Sequence, residues 1–423
     1  MATRQYTVTP SAARLATSLR DIGYDFSTAV ADVVDNSIAA GAANVDISFN
    51  ADPPRVVISD DGSGMTRNNL NEALRFGSRR DYSVGDLGRY GLGLKTASLS
   101  QCRSLTVVTR DSRLGTPHAR QLDLDIIDKW DEWLIVDPGR TPAVEEALGR
   151  LADSAGTIVV WEKLDRAFAG RYKEGAWAVR RVEMLKAKAK EHLELVFQRF
   201  IDGSAGRRVA ITIDQVPIEP WDPFATGESE TLELDPLTFD IQEDNQSGTV
   251  GLRRWILPAR SSFGSAAEFE RMGGPLKWNR QQGIYIYRAN RLVQWGGWAG
   301  IRAIDEHTKL ARCSLDFSTD LDSVFGINVA KMRVSVPVSL KRRLEKPLHE
   351  ICQVANERYR RNSPGRGGRA SSPAREATTD ESAALALLAA AVKGGHYDSL
   401  AQIAHVLKDE APGVARRLGL DRL

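Results

Sequence analysis

Cysteine is scarce in this chain of 423 residues. Cys102, Cys313 and Cys352 are odd in number and far apart, so they encode no disulfide framework, and no Cys or His spacing suits zinc. His349 and Cys352 are near neighbours, but two donors do not make a metal site. Long apolar runs are missing too. Nothing approaches the roughly 18 residues of a membrane span, and the opening MATRQYTVTPSAARLATS lacks the apolar stretch of a signal peptide. The expectation is a cytoplasmic protein. One-sided charge is also absent: 57 Lys and Arg face 55 Asp and Glu, a net +2, which announces no nucleic-acid partner by bulk charge. No internal repeat is visible.

What is there reads as a soluble chain of several parts. Hydrophobic content of 42% is enough for a sizeable core, and at roughly 100 to 200 residues per domain two or three are expected. From Tyr6 to about Phe200, helical and strand-like patterns alternate. Helices are predicted over Ala12–Leu19 and from a Ser27 cap to Ala40, with strands at Val45–Phe49, Arg55–Ser59, Leu105–Thr109, Gln121–Asp125 and Thr157–Trp161. A long helix is predicted over Ala178–Phe200. The mixture gives an α+β class, one sheet with helices on one face. A second region follows, with strands at Val209–Ile213, Gly283–Arg288 and Ile327–Val329 and a helix at Ser339–Tyr359. The Gly-, Pro-, Ser- and Arg-rich stretch Arg361–Thr379 reads as a flexible linker. Two short helices, Glu381–Lys393 and Ser399–Lys408, come after it. The boundaries are therefore 1–203, 204–360, 361–379 and 380–423.

Four strings carry chemistry. In Ala31-Asp32-Val33-Val34-Asp35-Asn36-Ser37, Asp32, Asp35 and Asn36 share one helix face. An amide oxygen there, with phosphate oxygens and waters, suffices for magnesium, and a carboxylate one turn earlier can polarise an attacking water. Taken alone, a solvated polar face explains the string as well. Asp60-Asp61-Gly62-Ser63-Gly64-Met65 follows a strand. A carboxylate at the strand end can accept from an adenine amino group, and the glycines let backbone approach a flat base; an Asp-Gly turn is the plain alternative. Gly88-Arg89-Tyr90-Gly91-Leu92-Gly93-Leu94-Lys95-Thr96 opens a predicted helix, Leu92–Gln101, whose free N–H groups attract phosphate. It lacks the spacing of a P-loop, and no Rossmann context surrounds it. Gly156-Thr157 opens a strand and means little by itself.

In this order and spacing the four resemble the GHKL superfamily of gyrase, heat-shock chaperone of the ninety-kilodalton class, histidine kinase and MutL. ADVVDNSIAAGA is similar to its first box, SDDGSGM to its D-x-G-x-G box, GRYGLGLKTAS to its second glycine box and GTIVVW to its final strand. The resemblance covers Tyr6–Leu164 and implies a Bergerat-fold ATP-binding domain followed by an α/β transducer domain and a short helical tail. It implies that Asn36 ligates Mg²⁺, that Asp60 binds the adenine amino group, and that Gly62, Gly64 and Met65 line the base. It implies that Gly88, Gly91, Leu92, Gly93, Leu94, Lys95 and Thr96 end the ATP lid and hold the phosphates, and that Thr157 supports the adenine site. Asp32 stands where the family has its general-base glutamate, one methylene shorter, and Ala39 replaces a common aspartate.

The transducer resemblance is looser. Phe325-Gly326-Ile327-Asn328-Val329-Ala330-Lys331 looks like the segment whose lysine reaches the γ-phosphate, which makes Lys331 the candidate. GRYGLGLKTAS and Gly283–Arg288 resemble MORC-type members more than gyrase. The implied activity is ATP hydrolysis driving a homodimeric clamp or switch, with DNA or a DNA-acting partner, in a setting such as phage defence or restriction. Basic residues from Lys341 to Arg375 suit phosphate contact or a solvated helix face, and Trp295-Gly-Gly-Trp298 reads as core packing and a tight turn, with a base-stacking surface as the alternative. A chaperone reading lacks room for a client-binding middle domain, and a histidine kinase lacks a His before His118. An ATP-binding scaffold with little hydrolysis is the standing alternative.

Overall fold

The computed structural model describes residues 6, 8–21, 23–76, 93–111, 115–168, 175–243, 246–327, 334–362, 391, 397–410 and 420. The chain forms two units. The first comprises Met1–Trp221 with two later returns, Ala289–Leu292 and Gly326–Val334.

Unit 1 opens with α1 (Ala12–Arg20) and α2 (Phe26–Ala39), then the hairpin β1 (Asn44–Ala51) and β2 (Pro54–Asp60). There follow α3 (Arg67–Leu74), α4 (Gly93–Gln101), β3 (Ser104–Arg110), β4 (His118–Asp123), α5 (Leu124–Trp130), α6 (Pro142–Arg150) and β5 (Gly156–Glu162). The unit closes with α7 (Gly175–Val196), α8 (Gln198–Ile201), β6 (Ala210–Ile213) and β7 (Val216–Pro217). Side-chain caps set the helix starts: Ser11 accepts from the Arg14 N–H, Thr66 from Asn69 and Thr141 from Val144. For α2 the cap is Asp25, which accepts from the Thr28 N–H at 2.9 Å, and Ser27 lies inside the first turn.

The seven strands run in the order β4-β3-β5-β2-β1-β6-β7. Neighbours are antiparallel except β1 and β6, which are parallel. Strand β3 is buried along its whole length, its Ser104, Thr106, Thr109 and Arg110 included. Phe26 of α2 meets Trp161 edge-on at 6.2 Å on one face. Strand side chains alternate between faces, so Ile158 and Val160 point the other way, where they pack with Ala143, Ala147 and Leu151. Helix α6 thus adds cover to the face opposite α2.

Three local expectations shift. The strand foreseen over Gln121–Asp125 ends at Asp123, whose carboxylate accepts from the Asp125 N–H and starts α5. The foreseen 178–200 helix breaks at Phe197 into α7 and α8. Ala210–Ile213, assigned from sequence to the second region, pairs with β1 and completes the first sheet, carrying unit 1 to Trp221 rather than ending it near 203.

Unit 2 comprises Asp222–Arg288, Val293–Phe325 and Ser335–Leu423. The second sheet has the strands β8 (Leu232–Glu243), β9 (Gln246–Ile256), β10 (Gly283–Arg288), β11 (Arg291–Gln294) and β12 (Ala311–Phe317), ordered β11-β10-β12-β9-β8; Arg291 and Leu292 at the start of β11 belong to unit 1. Short helices α9 (Ala266–Met272) and α10 (Lys277–Gln281) precede β10, and α11 (Val338–Asn362) and α12 (Tyr397–Glu410) follow β12. Helix α11 buries the stripe Leu340, Leu344, Leu348, Ile351 and Ala355, a helical period. Two members of the basic run hold it down: Arg343 donates to the Asp240 carbonyl and Arg358 to those of Glu230, Ile256 and Leu257. Trp298 is 2% exposed and donates its indole N–H to Gln282, so it belongs to the core, while Trp295 is half-buried. All three cysteines are free and buried. Of the remaining expectations, the Ile327–Val329 strand, the linker and the Glu381–Lys393 helix lie wholly or mostly outside the described residues.

Candidate active site

Strand register builds one end of the site. Asp60 on β2 pairs with Thr157 on β5, and Thr157 pairs with Thr109 on β3, so three adjacent strands bring these residues into one row. Asp60 Oδ2 accepts the Ser37 hydroxyl at 2.8 Å and Oδ1 accepts the Gly62 N–H at 2.9 Å. A carboxylate has about four acceptor sites, so capacity remains for an amino group. Burial pushes the Asp60 pKa up, and the donors from Ser37, Gly62 and Thr157 pull it back.

Hydroxyl protons beside it can be ordered by elimination. Thr109 Oγ donates to the Gly156 carbonyl at 3.0 Å and accepts the Met65 N–H at 2.9 Å. Its one proton being used, the 3.1 Å contact with Thr157 Oγ must be donated by Thr157. Thr157 is thereby left with acceptor lone pairs, the chemistry a bridging water needs.

Two glycines are required by close backbone approach. Gly64 has φ +66°, and a Cβ there would lie 1.9 Å from the Arg110 carbonyl oxygen. Gly156 has φ +148°, and its Cβ would lie 2.2 Å from the Asp60 carbonyl oxygen. The Asp-Gly-Ser-Gly turn is therefore packed against β3 and is not a free hairpin tip.

Helix α2 carries the other end. Nearly all of it is buried, including Asp32 and Asp35, while Asn36 is exposed. The Asn36 amide N–H donates to the Asp32 carbonyl at 2.9 Å. Only the NH₂ can face a carbonyl, so the amide oxygen faces elsewhere and fits the role of an Mg²⁺ ligand. Among the described residues no group of three His, Cys, Asp or Glu could hold a metal. Asp32 Oδ2 accepts the Tyr24 hydroxyl at 2.7 Å. Burial and the Asp32 charge drive the Tyr24 pKa far above its usual value, so the phenol stays a donor. A Cβ on Gly93, the first residue of α4, would lie 3.7 Å from Asp32 Oδ2, which sets a helix start beside the carboxylate.

A cation completes the cluster. Arg291 Nε lies 2.8 Å from Asp35 Oδ2, and Nη2 lies 3.7 Å from Asp32 Oδ1. His192 on α7 is neutral at physiological pH, its pKa lowered to about 4 by burial and by Arg291.

The sequence-derived candidates thus divide. Asp32, Asn36, Asp60, Gly62, Gly64, Met65, Gly93 and Thr157 converge through the contacts above, and Leu94 follows Gly93 in the first turn of α4. Lys95 lies apart from these contacts. It is 1% exposed, its Nζ donates to the Ala73 carbonyl at 2.7 Å, and the ammonium lies 5.7 Å from the Phe76 ring centre. Burial lowers its pKa to about 8, with Glu72 opposing. Thr96 is also fully buried, and its hydroxyl lies 3.5 Å from the Gly93 carbonyl. Gly88, Gly91, Leu92 and Lys331 lie outside the described residues. Sequence reasoning missed Tyr24, Thr109 and Arg291; Arg291 is 256 positions from its partner Asp35, and no local pattern marks it.

No helix among the described residues is long and apolar enough to cross a membrane. Residues 24–157 match a family profile described as histidine kinase-, DNA gyrase B-, and HSP90-like ATPase. The chain is similar to the DNA mismatch repair protein MutL of Halobacterium salinarum, 39% identical over 102 residues, which are 22% of this chain and 15% of that protein. It is also similar to the DNA mismatch repair protein MutL of Rhodopseudomonas palustris, 36% identical over 110 residues, 24% of this chain and 18% of that protein. The chain therefore spans less than a fifth of the length of these relatives.

Proposed function

From the membership of residues 24–157 in the GHKL ATPase superfamily, we propose that this chain binds Mg-ATP and hydrolyses its β–γ phosphoanhydride to drive a clamp or switch. The observation that supports this most is the continuity of α2: Ser37 fixes the carboxylate for the base, and the neighbouring Asn36 and Asp32 stand at the phosphate end. Asp60 accepts the adenine amino group, and Thr157 holds a water against the ring. Asp32 orients the attacking water, and the start of α4 offers backbone N–H groups to the phosphates. Mg²⁺, when bound at Asn36, neutralises phosphate charge. Lys331 adds a second positive charge at the γ-phosphate.

Similarity to MutL proteins supports DNA, or a DNA-acting protein, as the partner of a homodimer that closes on ATP in the MutL or MORC manner. Turnover of ATP measured with and without duplex DNA tests this. Mg²⁺-dependent hydrolysis is expected from the parent and not from Asp32→Ala, which still binds nucleotide. Removal of a general base lowers rates by about 10²- to 10⁴-fold. The short Asp32 side chain favours one rival, an ATP-binding scaffold. A parent that binds ATP yet never turns it over, with or without DNA, establishes that rival.

A further inference from the structure

We propose that Arg291 is a positioning residue for ATP hydrolysis that acts through Asp32, an inference that rests on the ATPase reading of the site. Asp32 is one methylene shorter than the glutamate it stands for, so the location of its oxygens depends closely on what holds them. Tyr24 holds Oδ2 by a hydrogen bond of 2.7 Å. Arg291 Nη2 faces Oδ1 at 3.7 Å, beyond hydrogen-bond range, and acts there by charge. The pair is shielded from water, with side chains 3% and 1% exposed, where charge attraction is stronger than at a surface.

Arg291 is itself fixed on several sides. Its Nε lies between both oxygens of Asp35, at 2.9 and 2.8 Å. Its Nη1 donates to the Leu292 carbonyl at 3.2 Å, and the guanidinium lies 5.8 Å from the Phe197 ring centre. Because guanidinium is a planar fork, fixing Nε fixes Nη2 as well. Asp35 thus orients Arg291, and Arg291 orients Asp32. A lysine supplies the charge but a single ammonium cannot occupy both positions. The rival explanation is that Arg291 only neutralises Asp35 and matters for folding alone.

The two explanations separate in the full-length chain. Measured quantities are kcat for Mg-ATP, calorimetric ADP affinity and thermal unfolding, for the parent, Arg291→Lys, Asp32→Ala, Arg291→Lys/Asp32→Ala and Asp35→Asn/Arg291→Gln. The last variant removes charge and countercharge together, so it reports even if Arg291→Lys fails to fold. Positioning predicts that Arg291→Lys and Asp35→Asn/Arg291→Gln keep ADP affinity while kcat falls on the order of 10²-fold, the penalty of an ångström-scale misplacement. It also predicts that Arg291→Lys lowers kcat no further once Asp32 is alanine. Parental kcat in Asp35→Asn/Arg291→Gln or in Arg291→Lys overturns the proposal, as does additive loss in the Asp32→Ala background or a fall in ADP affinity matching that in kcat. A parent that binds ADP without hydrolysing ATP overturns the ATPase reading and this inference with it, and the parent sample alone reveals that case.

Discussion

Replacing Asp60 by asparagine should damage nucleotide binding while leaving the empty protein as stable as before. The amide oxygen must take the place of Oδ1, because the Gly62 N–H opposite it is fixed backbone and two donors cannot face each other. The NH₂ then takes the place of Oδ2 and meets Ser37. The Ser37 hydroxyl can accept from it and turn its own proton to the Val33 carbonyl at 3.4 Å. The bonds to Ser37 and to the Gly62 N–H, both charge-assisted in the parent, become neutral ones, a loss of about 1 kcal/mol each. Against this, burial raises the Asp60 carboxyl pKa above 3.8, so the folded chain holds that proton more tightly than the unfolded chain does. Stability from this source is fully present below pH 3.8 and declines as pH rises through the raised value. Asparagine has no such decline, so the two effects oppose each other at neutral pH. Binding has no such offset. The adenine amino group loses an ionised acceptor, worth about 1.5–3 kcal/mol, or roughly a 10- to 150-fold rise in Kd. Calorimetry with a non-hydrolysable ATP analogue and thermal unfolding from pH 4 to 8 check both halves. ATP affinity equal to the parent's in a folded variant refutes the adenine assignment. A parental stability profile that does not fall relative to the variant as pH rises refutes the linkage argument.

Other outcomes follow from the same geometry. Asn36→Ala should abolish the Mg²⁺ dependence of ATP binding, and calorimetry showing equal enhancement by Mg²⁺ in variant and parent rules out Asn36 as the ligand. Tyr24→Phe removes a bond to an ionised carboxylate worth about 1.5–3 kcal/mol, so turnover should drop with ATP affinity retained; a parental kcat contradicts the role given to that phenol. Gly64→Ala should lower the unfolding temperature, since overpacking of about 1–3 kcal/mol adds to a left-handed backbone penalty of about 1–2 kcal/mol. A soluble variant with parental melting argues against the close approach to Arg110. Light scattering should show a dimer with the ATP analogue and chiefly monomer without it, weakened by deleting residues 1–6; equal dimer fractions in all four samples remove the clamp.

Much of the first unit was legible because its signals are local. Asp60 lies at a strand end and Asn36 one helical turn beyond Asp32, and the order and spacing of the four strings carry the resemblance that implies their roles; that Gly64 and Gly156 meet backbone across the sheet was not legible, because those contacts are tertiary. The misreadings were also local in cause. Asp123 fits either the end of a strand or the cap of a helix, and only pairing with β3 stops the strand there. Lys95 follows a glycine box, and its bond to the Ala73 carbonyl is a tertiary fact that no local pattern states. Ala210–Ile213 has the alternation of any strand, and nothing in it states that its partner is β1. Arg291 lay furthest from view, because a salt bridge across 256 positions leaves no trace in either neighbourhood.

The bond from Lys95 to Ala73 has a consequence for how this chain can change over generations. It ties the first turn of α4 to the end of α3. Position 95 is therefore constrained twice over: the side chain must be long enough to reach that carbonyl and must carry a donor when it arrives. A lineage that trades the lysine for an aliphatic residue of similar size loses a link between two helices and no rung of the sheet.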